Sequence, residues 1–146
     1  MKHQTTRMVF LLLLGFSIAG CGSNSTEPNN GGNGGTVDPD PSFASSIQPI
    51  LTANCATSGC HDNLNSTGTG LILTADSAYI KLVAVSSTQV PTLDRVDPGD
   101  ADNSYLVHKI EGSQSSGQRM PLGRTPLTDN QIQLIRNWID QGAEDN

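Results

Sequence analysis

Three reactive side chains fall within seven residues of this chain, in the run CATSGCH from Cys55 to His61. Four small residues separate the two thiols, and an imidazole follows the second directly. Such a pair can close a disulfide, hold a soft metal, or add across the vinyl groups of a tetrapyrrole. Two more groups with an affinity for metals lie far downstream. One is the thioether of Met120, in the Gly- and Pro-rich stretch RMPLG, and the other is the imidazole of His108 in SYLVHKIE.

Covalent capture of haem needs two thiols and then an imidazole next to the second, so that the ring reaches the iron. Cys60 and His61 meet that need. Cys55 must reach the other vinyl, and a four-residue spacer leaves two residues that have to bulge outward. Thr57, Ser58 and Gly59 are small and tolerant of turns, so such a bulge costs little. The iron would then want a sixth ligand. Met120 is the favoured distal candidate, because Pro121 stiffens the chain behind it and a Met/His pair raises the reduction potential. Its plainer use is core packing. Bis-histidine ligation of His61 with His108 is the second option, against an ordinary exposed helix histidine. Arg95, Arg119 and Arg124 are candidates to meet haem carboxylates, against plain solvated arginines.

The main rival is a Cys55–Cys60 disulfide. Exported proteins meet an oxidising compartment, and five residues of turn can bring two sulfurs into bonding geometry. One Cys, two His and one Met also make up a blue-copper set, but here they are dispersed along a helical chain. Two thiols and two separated histidines are a poor zinc site. Asp94, Asp97, Asp100 and Asp102 lack the acceptor spacing of a calcium loop and read as turn and cap residues. No Ser/His/Asp set or carboxylate pair argues for hydrolysis.

The elements that must position these groups are short helices between long polar loops. SFASSIQPILTANCA has Phe43, Ile47, Ile50 and Leu51 at helical spacing. Pro49 favours a start at Ser46, which would place it in the first turn, and a kinked helix from Ser42 is equally possible; either one runs into Cys55. Thr74 or Asp76 caps a short helix with Tyr79, Ile80 and Val83 on one face. RVDPGD reads as a tight turn. Asp102 caps a helix over NSYLVHKIE with Leu106 and Ile110 inward, closed by Gly112. The clearest helix is LTDNQIQLIRNWIDQGA, with a Thr128–Gln131 capping box and Leu127 as staple. Its stripe is Ile132, Ile135 and Ile139, with Leu134 and Trp138, and Gly142 ends it. LVAVS is the one β-like run. Four aromatic residues after position 41 are few for so much loop, and a flat apolar cofactor would complete the core.

The first residues belong to a different economy. MKHQTTR is basic, MVFLLLLGFSI is an apolar run too short to span a bilayer, and together they match a secretory leader. IAGC then resembles a bacterial lipobox, which predicts cleavage after residue 20 and lipidation of Cys21. A plain leader with Cys21 as a free thiol is the simpler alternative. Acyl chains at one residue suffice for anchoring, and Gly22 in place of aspartate favours the outer membrane under the sorting rule. Residues 21–41, dominated by Gly, Asn, Ser and Pro, read as a flexible tether of roughly 25 Å reach. Residues 42–146 suit one small domain. Losing the leader removes two of the eight basic residues and none of the fourteen acidic ones, leaving −8. An acidic chain has neither the footprint for nucleic acid nor a polybasic patch for anionic lipid.

Taken in order, IQPILTANCATSGCH, GLILT, RVDPGDADNSYLVHKI, RMPLG and PLTDNQIQLIRNWIDQGA resemble a bacterial class I-like cytochrome c domain family across nearly all of residues 43–143. The resemblance implies an all-α fold: a small bundle of short helices with long loops around a haem held between the N- and C-terminal helices. It implies one covalently attached haem c on Cys55 and Cys60, His61 as proximal ligand and Met120, from the MP loop, as distal ligand. The departure is the four-residue spacer. The expected function is a lipid-anchored one-electron carrier on the periplasmic side of the envelope, not an enzyme, serving redox partner proteins. The alternative is a haemless envelope domain with a structural Cys55–Cys60 disulfide.

Overall fold

Ser42 starts the first helix: its Oγ accepts from the Ser45 amide, and its extended backbone feeds directly into a wide π-type turn, Phe43–Ile47. The turn continues without a break into α1, Gln48–Asn54. Pro49 explains the widening. It has no N–H for the Ser45 carbonyl, and its ring presses toward that carbonyl, so the preceding turn opens to i→i+5 spacing. The amide of Ile47 accordingly reaches back to Ser42 O at 3.3 Å. Of the two starts compatible with the sequence, the kinked helix from Ser42 is the one formed. This computed structural model describes residues 36–63 and 70–146. The expected leader, the lipidation site Cys21 and the tether as far as residue 35 lie outside the described residues.

α2, Ala78–Leu82, is a single turn of helix. It departs from expectation in two ways. Neither Thr74 nor Asp76 caps it through a side chain; the Thr74 carbonyl instead accepts from the Ser77 and Ala78 amides. The buried pair is Ala78 and Leu82, four residues apart, and this leaves Ile80 68% exposed. α3, Tyr105–Glu111, is entered from Ser104 rather than Asp102 and ends on Gly112 in the left-handed region at φ 87°. Ser104 is fully buried because its hydroxyl accepts from the Asp97 amide and donates to the Asp100 carbonyl at 2.8 Å. Asp102 is left free to pair with Arg136, which also meets Glu111 at 3.0 Å. The VDPGD turn forms as expected, with Gly99 at φ 88° and the Asp100 amide on Asp97 O. The β-like run yields only isolated bridges, Val83 with Val96 and Ser86 with Asp94.

α4, Asp129–Asp140, carries the expected capping box: Thr128 accepts from the Gln131 amide while the Gln131 side chain accepts from the Thr128 amide. Ile135, Trp138 and Ile139 are buried, with Ile132 and Leu134 packed at the margin. α4 lies against the π turn and α3. Phe43 joins these layers, with its ring 5.2 Å from Trp138 and 5.3 Å edge-on to Tyr79. The regular structure is therefore mostly helical, compatible with an all-α fold. Residues leading into the first helix are tied to α4, since Asp38 O accepts from Asn137 and Pro39 O from Gln141. Among the described residues, no helix is long and apolar enough to cross a membrane.

Candidate functional site

The CATSGCH segment begins as the last turn of α1 comes off its axis. The Cys55 and Ala56 amides both bond Leu51 O, and Cys55 stays buried against the core. The four-residue spacer folds into a turn in which the Cys60 amide meets Thr57 O at 2.9 Å, with Gly59 at φ 79°. A side chain at Gly59 would meet no neighbour, so backbone conformation rather than space favours glycine there. The His61 amide then returns to Cys55 O at 3.0 Å. The spare residues are thus taken up in an outward turn, and the two cysteines are brought back to the same region.

Segment 70–73 fixes the imidazole. The His61 carbonyl accepts from the Leu73 amide at 2.8 Å, and His61 Nδ1 lies 2.9 Å from Leu71 O. A carbonyl can only accept, so Nδ1 carries a proton, which in the neutral ring leaves the lone pair on Nε2. This is the arrangement in which a second contact orients a ligating histidine.

Cys55 and Cys60 are free thiols. Burial, with the neighbouring Cys60 sulfur second, pushes the Cys55 thiol up to about 11. The two sulfurs are therefore near enough to feel one another, and Cys55 is a neutral thiol at ordinary pH.

Met120 reaches the site through the unfinished end of α3. The last carbonyls of a helix lack intrahelical donors, and here the following loop supplies them. Lys109 O accepts from the Met120 amide at 2.8 Å, and Ile110 O accepts from Arg119 Nε at 3.1 Å. Earlier in the same loop, Ser116 O accepts from Tyr105 Oη at 2.6 Å and from Lys109 Nζ at 3.3 Å. At Gly117 a Cβ would come within 2.8 Å of Lys109 and Gln89 side-chain atoms, so the loop lies directly on those side chains.

All four groups, Cys55, Cys60, His61 and Met120, line one cavity of about 500 Å³. That volume falls within the range of roughly 300–1,000 Å³ typical of cofactor sites. Leu71, Leu73, Leu82, Leu106, Ile110 and Leu122 supply an apolar lining, and Leu122 is 62% exposed. The remaining candidates divide. Arg95 and Arg124 line the cavity, whereas Arg119 and His108 do not; His108 Nδ1 instead meets Ser113 Oγ at 3.0 Å. Lys109 lines the cavity as well and was not singled out from the sequence, although its helical spacing from Leu106 and beside Ile110 is the signal for it.

The wall also differs from what the resemblance implied. The end of α1, the last residue of α2, α3 and loops build it, and no α4 residue lines it; α4 backs the core instead. Among the described residues, no three His, Cys, Asp or Glu side chains gather as metal ligands, so the copper, zinc and calcium sets considered from the sequence are not assembled. Comparison with family models, with curated proteins and with solved structures gave no match.

Proposed function

We propose that this protein is a single-haem cytochrome c, an electron carrier rather than an enzyme, with the cytochrome-like bundle closing around the cofactor. The observation that carries the reading is convergence. Of the five thiol, imidazole and thioether groups after residue 41, four line one apolar cavity although they lie up to 65 positions apart in sequence. The donor set fits haem c. Cys55 and Cys60 would hold the porphyrin edge as thioethers, His61 Nε2 is free to ligate, and Met120 enters from a loop anchored on α3. Bound there, haem would supply a one-electron ferrous/ferric couple, biased toward ferrous iron by a thioether ligand.

The chain's own part is positional. The Leu71 carbonyl orients the imidazole, the Gly59 turn absorbs the long spacer, and the Lys109 carbonyl anchors the backbone that carries the thioether. With His61 and Met120 both serving as ligands, no coordination position would remain open for a substrate, and the leucine lining would limit water around the group. The leader and Cys21 support a lipid-anchored carrier on the periplasmic face of a bacterial envelope, in the outer membrane by the residue after the cysteine, exchanging electrons with partner proteins there.

The adjacency of the two sulfurs also favours a second reading, a haemless domain with a Cys55–Cys60 disulfide. Expression with haem-maturation genes, followed by denaturation, a pyridine haemochrome spectrum and an intact mass, separates the two. A haem-sized mass increment supports the cytochrome. A colourless protein lighter by two hydrogens supports the disulfide and overturns the carrier.

A further inference from the structure

The charge of the cavity wall runs against the charge of the chain. The protein carries −6, with thirteen acidic residues among those described, yet none of those thirteen lines the cavity. Three of the six described Lys and Arg residues do: Arg95, Lys109 and Arg124. They arrive from three separate segments, namely the stretch before α3, α3 itself and the loop after Met120. None is neutralised by a carboxylate, since both ion pairs among the described residues belong to Arg136. The half-buried Arg95 guanidinium donates to Lys81 O at 2.7 Å, and Lys109 Nζ donates to Gln89 Oε1 at 2.9 Å and to Ser116 O. Those acceptors are neutral, and they leave donors over on both side chains. Partial burial disfavours both cations and draws their pKa values below the usual range. An uncompensated, partly desolvated cation is costly to keep unless an anion arrives to meet it.

We infer that Arg95, Lys109 and Arg124 form a carboxylate-reading wall, which captures an apolar planar ligand through its acid groups before either cysteine bonds to it. The inference rests on the haem reading above and adds a step to it: non-covalent recognition, selective for the free diacid over its esters. The leucines take the apolar body, the cations take the carboxylates, and the two together fix which edge of the ligand faces Cys55 and Cys60.

The test uses the full chain with Cys55→Ser and Cys60→Ser, so that neither a thioether nor a disulfide can form. It is titrated with haemin and with haemin dimethyl ester, following the absorbance of the bound ligand. Haemin should bind about tenfold or more tighter than the ester, a gap that narrows as salt rises. Adding Arg95→Gln or Lys109→Gln should weaken haemin by about tenfold each and leave the ester unchanged, which also shows that the cavity is intact. Arg95→Lys and Lys109→Arg, which keep the charge, should recover most of the loss. Equal affinity for acid and ester, or no binding of either, overturns the inference. So does a loss in the charge-keeping variants as large as in the neutral ones, which would assign the effect to packing. None of these results bears on whether maturation attaches haem to the unmodified chain, which the mass increment decides.

Discussion

The Cys55 thiol gives the haem-free, reduced chain a built-in sensitivity to alkali. Burial, and then the neighbouring Cys60 sulfur, moves its pKa from 9.0 to about 11. The folded state therefore favours the protonated thiol. Below pH 9.0 both folded and unfolded chains hold that proton; between 9.0 and about 11 only the folded chain does. Since the native state then binds more protons than the unfolded one, stability must fall as pH rises through that window. At about 1.4 kcal/mol per pH unit, the loss amounts to roughly 2–3 kcal/mol. Urea unfolding across the window, on the reduced chain and on Cys55→Ala, isolates the effect, because lysines and tyrosines that titrate nearby are common to both. The two stability profiles should converge with rising pH as the parent loses its advantage. Loading with haem or closing the disulfide removes the proton altogether, so either form should run parallel to the variant. Parallel profiles for the reduced chain and Cys55→Ala would refute the reasoning and mean that the thiol is in contact with water.

In the haem-loaded protein, Met120→Ala should lower the reduction potential by on the order of 0.1 V and open the iron to carbon monoxide, read by spectroelectrochemistry; an unchanged potential would remove Met120 from the metal. Trp138→Ala should cost about 3–5 kcal/mol in urea denaturation, since it empties the space beside Phe43 and orphans the Glu144 carbonyl that Trp138 Nε1 meets at 2.9 Å. Thr128→Ala should cost about 1 kcal/mol by breaking one half of the capping box, and adding Gln131→Ala should cost less than a second full increment, because the two bonds brace each other.

What could be read from the sequence followed the range of the interaction that fixed it. α4 was legible because its cap, stripe and terminator are all local. Cys55, Cys60, His61 and Met120 could be singled out because few soft groups exist in the chain to choose among, and the fold sets all four on one cavity. The inward face of α2 was not, since a single helical turn has too few residues to define a period, and Ala78 with Leu82 outcompeted the bulkier Ile80 for the core. The cap of α3 passed from Asp102 to Ser104 because Asp102 found Arg136, thirty-four residues on. The supports of the site, Leu71 O behind His61 and Lys109 O behind Met120, are main-chain atoms, which residue type cannot announce.

The strap formed by Asp38 and Pro39 ties the start of the described chain to Asn137 and Gln141 on α4, a helix that contributes nothing to the cavity wall. Those two bonds share any tension arriving from upstream between α4 and the continuous helix Phe43–Asn54, so it does not fall on the end of α1 at Cys55 alone.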